Sequence, residues 1–424
     1  MRLIGELKML GEFFRVLKIS IRFFLYPLYF ISFLFPKNKN LWVIGCHNDT
    51  FMDNSKYFYL FLVRNNRNLI KEKIKFYWIT GNNNVYQSLK KQGFPVFKRW
   101  SLKGLFIQLR AGIFIYSSYL SDINFWTSGR TIRINLWHGI PLKRIEYDVK
   151  IGKLGRRYHG WKKYLYKVLT PWIFTKPTYL LSTSPNISKI FSSAFGIGIE
   201  RCLNYGYPRC DIFFCSKDKM EKNIEFYLPE YVDKNLGFEK ILHELKKFNK
   251  IIVYMPTFRD KKIYDAMKNI DFQELNQFLR NINSILILKL HPNVSMNTNV
   301  ENFSNIIKWD SKLDIYPFLI FTDLLITDYS SIMFDYLLLN KPIILYWYDK
   351  EHYFKSERGF YENIKKIIEE YFIIVNTQKD LHNAIKKYIE NEFPSNHEYL
   401  KYYLWNSYEG NSSCNLYNFI KRLK

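Results

Sequence analysis

Two textures of apolar and polar positions divide the chain. Leu3, Leu7, Leu10, Phe14, Leu17 and Ile21 recur at alternating steps of four and three, while Arg2, Lys8, Arg15, Lys18 and Arg22 fall largely off that stripe. This is the pattern of an amphipathic helix with a basic face. The run 23–35 that follows is almost wholly apolar, yet as a helix it would rise only about 20 Å against roughly 30 Å of hydrocarbon. It cannot span a bilayer unaided, Pro27 bends it, and no small-residue cleavage site marks it as a signal peptide. Residues 1–36 are therefore expected to lie in the plane of a membrane as an anchor. The competing expectation is a helix buried on the protein's own core.

From Leu41 the texture becomes strand and helix in alternation. LWVIG (41–45), KFYWITG (75–81), AGIFIYSS (111–118), IRINLWHG (132–139), YLLST (179–183), IIVYMPT (251–257), ILILKLHP (285–292), LLITD (324–328) and PIILYWY (342–348) are short, β-rich apolar runs closed by or running into turn and polar residues. Helix-length segments separate many of them, which predicts βαβ units, parallel sheets and ligand sites at the carboxyl ends of the strands. The polar stretch 215–250 between the fifth and sixth of these runs is a candidate hinge. No internal repeat is visible.

A length of 424 residues suggests two or three domains, and two large lobes are the economical reading. Apolar residues at 48% and charged residues at 24% supply a packed core and exclude disorder over most of the length. The net charge of +25 places the protein beside negative charge, whether nucleic acid, anionic lipid or a phosphate-rich substrate. Five scattered cysteines without a C-x-x-C pair argue for a reducing compartment and against a disulfide framework or a zinc site. Between Lys143 and Lys176, ten Lys/Arg face two acids, with Tyr158, Trp161, Tyr164, Tyr166 and Trp172 interleaved. No nucleic-acid motif accompanies this cluster, so membrane headgroups or a polyphosphate acceptor groove fit it better, beside the plainer reading of a solvated face.

The strongest local signal for chemistry is LLITDYSSIMFDYLLLNKPIILYWYD (324–349). A strand stops at Thr327, Asp328 and Ser330 can cap, and Ser331 opens a helix whose free N–H groups and hydroxyls suit a phosphate. Ordinary helix capping reads similarly. His138 in NLWHGIPLK and His291 in KLHPN each follow an apolar strand and precede a turn, the place for a base or a phosphate donor. Arg209 in GYPRCD and Arg259 in PTFRD sit just past proline turns, suited to oxyanions. Taken singly, each of these has a structural reading.

Taken together and in this order, NLWHGIPLKRI, GYPRCD, YMPTFRD, KLHP, TDYSSIMFDY and RGFY (358–361) resemble the motif series of the CDP-glycerol glycerophosphotransferases, which build teichoic acids and related capsule polymers. The resemblance runs from about Leu41 to the C-terminus and includes PKNKNLWVIG and DNSKYFYLF. It implies an α/β GT-B architecture, two Rossmann-like lobes with the active site in the cleft between them; the basic amphipathic segment read from its own pattern precedes them. The implied divisions are 1–36 for that segment, 37–240 for an acceptor-side lobe, 241–395 for a CDP-donor lobe, and 396–424 for a terminal helix packing back across the lobes. The implied reaction moves glycerol phosphate from CDP-glycerol to a hydroxyl of a lipid-linked polymer and releases CMP. It needs no cofactor and no metal, and no D-x-D element occurs.

The resemblance matches His138 to the catalytic base. It matches His291, Asp328, Ser330 and Ser331 to the CDP-diphosphate site, with Arg259 beside them and His291 also assisting catalysis. Arg209, Lys143 and Arg358 are candidate contacts to acceptor or phosphate. The amphipathic segment, the positive charge and the cysteine pattern set the expected location, peripheral on the cytoplasmic face of the membrane, with an anionic lipid surface as partner and no nucleic acid. Ile140 replaces the family's usual Thr and Glu409 its usual Asp. These departures suggest a lost polar contact and leave CDP-ribitol or another CDP-polyol as alternative donors; a GT-B glycosyltransferase using a UDP-sugar is a separate alternative, since it would share the architecture.

Overall fold

The computed structural model describes residues 22–229, 238–257, 270–290, 302–351, 353, 359–390 and 397–423. Two parallel sheets organise them. The first is built from β1 (Asn38–Gly45), β2 (Lys75–Thr80), β3 (Val96–Lys98), β4 (Ala111–Tyr116), β5 (Ile132–Asn135), β6 (Tyr179–Ser182) and β7 (Cys202–Asn204), in the spatial order β3-β2-β1-β4-β5-β6-β7. The second contains β8 (Lys250–Met255), β9 (Ser284–Lys289), β10 (Ile306–Trp309), β11 (Leu324–Thr327), β12 (Ile343–Tyr346) and β13 (Ile373–Val375), in the order β10-β9-β8-β11-β12-β13. This is the GT-B architecture of two α/β lobes facing one another.

Period-two side-chain alternation decides where each lobe's core lies. Trp42 and Ile44 of β1 point to one side, and Leu41 and Val43 to the other. In β8, Ile251 and Val253 share the side of Trp42 and Ile44, while Ile252 and Tyr254 turn to a separate cluster. Each sheet thus has a private core on one face. The other faces belong to one continuous apolar cluster reaching from Trp42 through Cys210 and Phe213 to Phe334 and Leu345. Strands buried on both faces explain why the central ones read as unbroken apolar runs.

The helices used below are α1 (residues 22–32), α2 (Asp53–Arg64), α3 (Gly152–Tyr158), α4 (Lys162–Leu169), α5 (Ile332–Tyr336), α6 (Glu398–Trp405) and α7 (Ser412–Arg422). The C-terminal pair touches both lobes. Trp405 on α6 donates its indole N–H to the Phe334 carbonyl at 2.8 Å, and the Ser412 and Ser413 amides at the start of α7 donate to Asp211 at 2.8 and 2.9 Å. Of the 1–36 segment, residues 1–21 lie outside the described residues. Helix α1 lays one face on the first lobe, with Tyr29 stacked on Phe125 at 4.5 Å and Tyr26 edge-on to Trp126 at 5.1 Å. Its other face leaves Phe24 82% and Phe30 65% exposed. Among the described residues no helix is long and apolar enough to cross a membrane.

Candidate active site

His138 follows β5, and its loop is shaped by side chains that bond to its backbone. Asn135 accepts from the Trp137 amide at 2.8 Å and donates to the Ser118 carbonyl at 2.9 Å. Buried Asn54, in the first turn of α2, donates to the Leu136 and Trp137 carbonyls at 3.2 and 2.8 Å. Trp137 is thereby held at φ 51°, an unfavourable region for a bulky residue. The His138 Nδ1 lies 3.2 Å from the Ser117 carbonyl. The Ser118 hydroxyl is a more distant neighbour at 3.5 Å; the carbonyl can only accept, so the closer contact assigns the proton to Nδ1 and the lone pair to Nε2. The ring has an exposed edge, while the protein around it expels enough water to lower its pKa. Arg209 and His47 add to that shift, against Asp53 and the Ser117 carbonyl.

Gly139 explains how closely the second lobe approaches. Its φ of 148° suits glycine, and a Cβ built there would lie 2.7 Å from Ser331 Oγ and 3.5 Å from Arg209 Nη2. His138's neighbour, Ser331 and Arg209 therefore meet across the cleft. Ser331 immediately precedes α5 and makes no side-chain cap, whereas Ser330 Oγ accepts the Ile332 amide at 3.4 Å. Asp328 does not cap α5. Its buried carboxylate accepts from the Thr257 amide at 2.9 and 3.0 Å and from the Thr257 hydroxyl at 2.5 Å, tying the end of β11 to the loop after β8.

Arg209 is 3% exposed and committed to carboxylates. It donates from Nε at 2.9 Å and Nη2 at 2.6 Å to Asp335 on α5, and from Nη1 at 2.5 Å to Asp53 on α2. Burial alone would depress its pKa, and Asp335 overrides that to leave a net rise. A candidate phosphate contact is thus an ion pair joining the lobes. A second interlobe pair, from the DNSKYFYLF segment, joins buried Lys56 to Asp314 at 3.1 Å, with the Tyr57 hydroxyl also donating to Asp314 at 2.8 Å. Lys143 sits 4.3 Å from the centre of the Tyr353 ring and forms an antiparallel bridge to Phe360. The flanking Arg144 amide donates to the Gly359 carbonyl at 2.9 Å. His291, Arg259 and Arg358 lie outside the described residues. Ile140 is fully buried in the shared core, so replacing Thr there takes no polar contact from the cleft, contrary to the expectation. Glu409 is exposed.

His47 and Asp49, in the loop after β1, are not among the residues the motifs single out. His47, Asp49, Asp53 and Asn54 lie in one polar run, GCHNDTFMDNSK, directly behind a strand, and that position was the available signal. Arg99 fastens this loop to its neighbours, pairing with Asp49 at 2.6 Å and donating to the Asp122 carbonyl at 2.9 Å. His47 Nδ1 lies 3.9 Å from the buried Asp122 carboxylate. Burial pushes Asp122 up to about 7, against backbone donors at Ser118 and Tyr119.

The model of the CDP-Glycerol:Poly(glycerophosphate) glycerophosphotransferase family matches residues 27–422. The chain is 28% identical over 367 residues to the teichoic acid glycerol-phosphate transferase of Staphylococcus aureus, covering 83% of this chain and 87% of that protein. It is 30% identical over 322 residues to the teichoic acid poly(glycerol phosphate) polymerase of Bacillus subtilis, covering 74% of this chain and 40% of that longer protein. In fold it is similar to the wall teichoic acid polymerase TagF soaked with CDPG, with a TM-score of 0.71 at 23% identity over 91% of this chain and 89% of that one. With its motifs, its two facing lobes and a family match over nearly its whole length, the chain belongs to the CDP-glycerol:poly(glycerophosphate) glycerophosphotransferase family.

Proposed function

We propose that His138 is the general base of glycerol phosphate transfer from CDP-glycerol to the terminal hydroxyl of a teichoic-acid-type polymer. The acceptor oxygen attacks the phosphorus of the glycerol phosphate, the bond to CMP breaks, and the acceptor's proton passes to Nε2 of His138. A glycerol hydroxyl is too weak an acid to attack unaided, so a neutral imidazole beside it lowers the barrier. The observation that carries this reading is the Nδ1 contact to the Ser117 carbonyl, which leaves Nε2 as the acceptor. On the facing wall, Ser330 and Ser331, with His291 and Arg259, are proposed to hold the diphosphate and stabilise departing CMP. Asp328 is proposed to act at one remove, by orienting Thr257.

Recovered CMP identifies the donor. With membranes carrying acceptor and a panel of CDP-glycerol, CDP-ribitol and UDP-sugars, CMP release and polymer growth are expected with CDP-glycerol. Turnover of a UDP-sugar alone would overturn the proposal.

A peripheral position on the cytoplasmic face of the membrane is proposed from the surface beside α1. The Tyr26 hydroxyl donates to the Val168 carbonyl of α4 at 2.7 Å, and Arg22 lies over the Trp172 ring. This contact joins exposed Phe24 and Phe30 to exposed Trp161, Tyr164 and Leu165, with Lys162, Lys163 and Lys167 on the same short helix. Apolar side chains interleaved with cations suit an anionic interface. Phe24→Glu with Leu165→Glu should release the folded protein from anionic vesicles, and undiminished pelleting would place the docking surface elsewhere.

A further inference from the structure

In the first sheet the chain runs outward from β1 to β2 and β3 on one side, and from β4 to β7 on the other. The crevice between the carboxyl ends of β1 and β4 is therefore the topological switch point, where open parallel sheets take their ligands. The loops after these two strands supply His47 and Asp122, which meet there at 3.9 Å. Gly45 permits that approach, since a Cβ on it would run into the Asp122 carbonyl oxygen. The loop is strained, with the non-glycine residues Asn48, Asp49 and Asp53 at φ 53°, 58° and 62°. Arg99 holds it rigid by bonding Asp49 and the Asp122 and Ile123 carbonyls. Strain retained by such fastening is a feature of ligand sites.

The acids around the crevice are paired or buried, which leaves His47 as an exposed donor there. Asp49 is paired with Arg99, and Asp53 with Arg209, which Asp335 shares. The Asp122 side chain is 1% exposed, whereas that of His47 is 57% exposed. The loop after β4 touches both imidazoles: the Ser117 carbonyl lies 3.2 Å from His138 Nδ1, and the Ser118 amide donates at 2.8 Å to Asp122, the neighbour of His47. A growing poly(glycerophosphate) chain offers a terminal hydroxyl with a phosphodiester one glycerol unit behind it. A base on the hydroxyl leaves that anion needing a donor nearby.

We infer that His47, positioned by Asp122, binds the last phosphodiester of the acceptor and so sets the enzyme's preference for an acceptor already ending in glycerol phosphate. This rests on the proposed role of His138 at the acceptor hydroxyl. His47 moves no proton in the reaction and forms a charge-assisted hydrogen bond in the acceptor complex.

The test compares a short synthetic acceptor ending in glycerol phosphodiester with a neutral glycerol ether of the same length, in the intact enzyme and in His47→Ala and His47→Gln. The intact enzyme should favour the charged acceptor in kcat/KM. Both variants should lose about tenfold of that preference through acceptor KM, with the KM for CDP-glycerol unchanged and kcat within about twofold. An unaltered preference would overturn the inference, as would a loss falling equally on both acceptors or appearing in the donor KM. Far-UV circular dichroism of each variant shows whether the fold is intact. If the intact enzyme releases no CMP from CDP-glycerol with either acceptor, the proposed function itself fails, which is a separate result.

Discussion

Arg209→Met tests whether the two lobes are joined by a buried ion pair. Arg209 and Asp335 are 3% and 0% exposed, with 2.6 Å between Nη2 and Oδ2. Removing the guanidinium would leave Asp335 with the Tyr316 hydroxyl at 2.6 Å as its remaining donor, since its Oδ1 already lacks a partner. Stranding one member of a buried pair costs about 3–5 kcal/mol. Asp53, also released, is partly exposed and adds little. Replacing both members by apolar residues of similar volume avoids the stranded charge, so Arg209→Met with Asp335→Leu should recover most of the loss. Guanidinium unfolding followed by tryptophan fluorescence and far-UV circular dichroism measures both variants against the parent. A single variant within about 1 kcal/mol of the parent, or a double variant as unstable as the single, would refute the reasoning.

Gly139→Ala should cut kcat/KM at least about tenfold without unfolding the protein, because the added Cβ collides with Ser331 Oγ and displaces the His138 loop; a parental rate would show that the cleft does not close as described. Against the upward push of burial, Lys56 holds the Asp314 carboxyl below its ordinary value. Its stabilising contribution is thus present above the unfolded pKa of about 3.9 and lost as pH falls through the lower folded value. Lys56→Met strands that carboxylate, and acid unfolding followed by circular dichroism should move to higher pH; an unmoved midpoint would count against the pair.

Burial decides which parts of this fold can be read from the sequence. The central strands, covered on both faces, announce themselves as runs such as IIVYMPT and LLITD. The strands that the pattern missed are β3, β7, β10 and β13, which are the four sheet edges and only three or four residues long. An edge strand is partly solvated, as the buried-exposed-exposed-buried pattern of β10 illustrates, and where its residues are all apolar, as in the Ile-Ile-Val of β13, three positions are too few to mark a strand. His138 was legible because a strand, a histidine and a turn follow one another in sequence. The roles of Arg209 and Asp328 were not, because Asp335 lies 126 residues from the first and Thr257 lies 71 from the second. Ile140 misled for a related reason: a motif position shows what has changed but not that the side chain points into the core.

The central claim is that His138 takes the acceptor's proton, and the pH profile of turnover tests it most directly. Release of CMP from CDP-glycerol onto a polymer acceptor should be measured across pH for the intact enzyme and for His138→Ala. Because the imidazole's pKa is lowered, the intact enzyme's acid limb should fall below the ordinary histidine value of about 6.5. The variant should lose about 10²–10⁴-fold in kcat with that limb gone, while its KM for CDP-glycerol stays near the parent's. A folded His138→Ala enzyme that turns over within a fewfold of the parent, or that keeps the same acid limb, would contradict the claim.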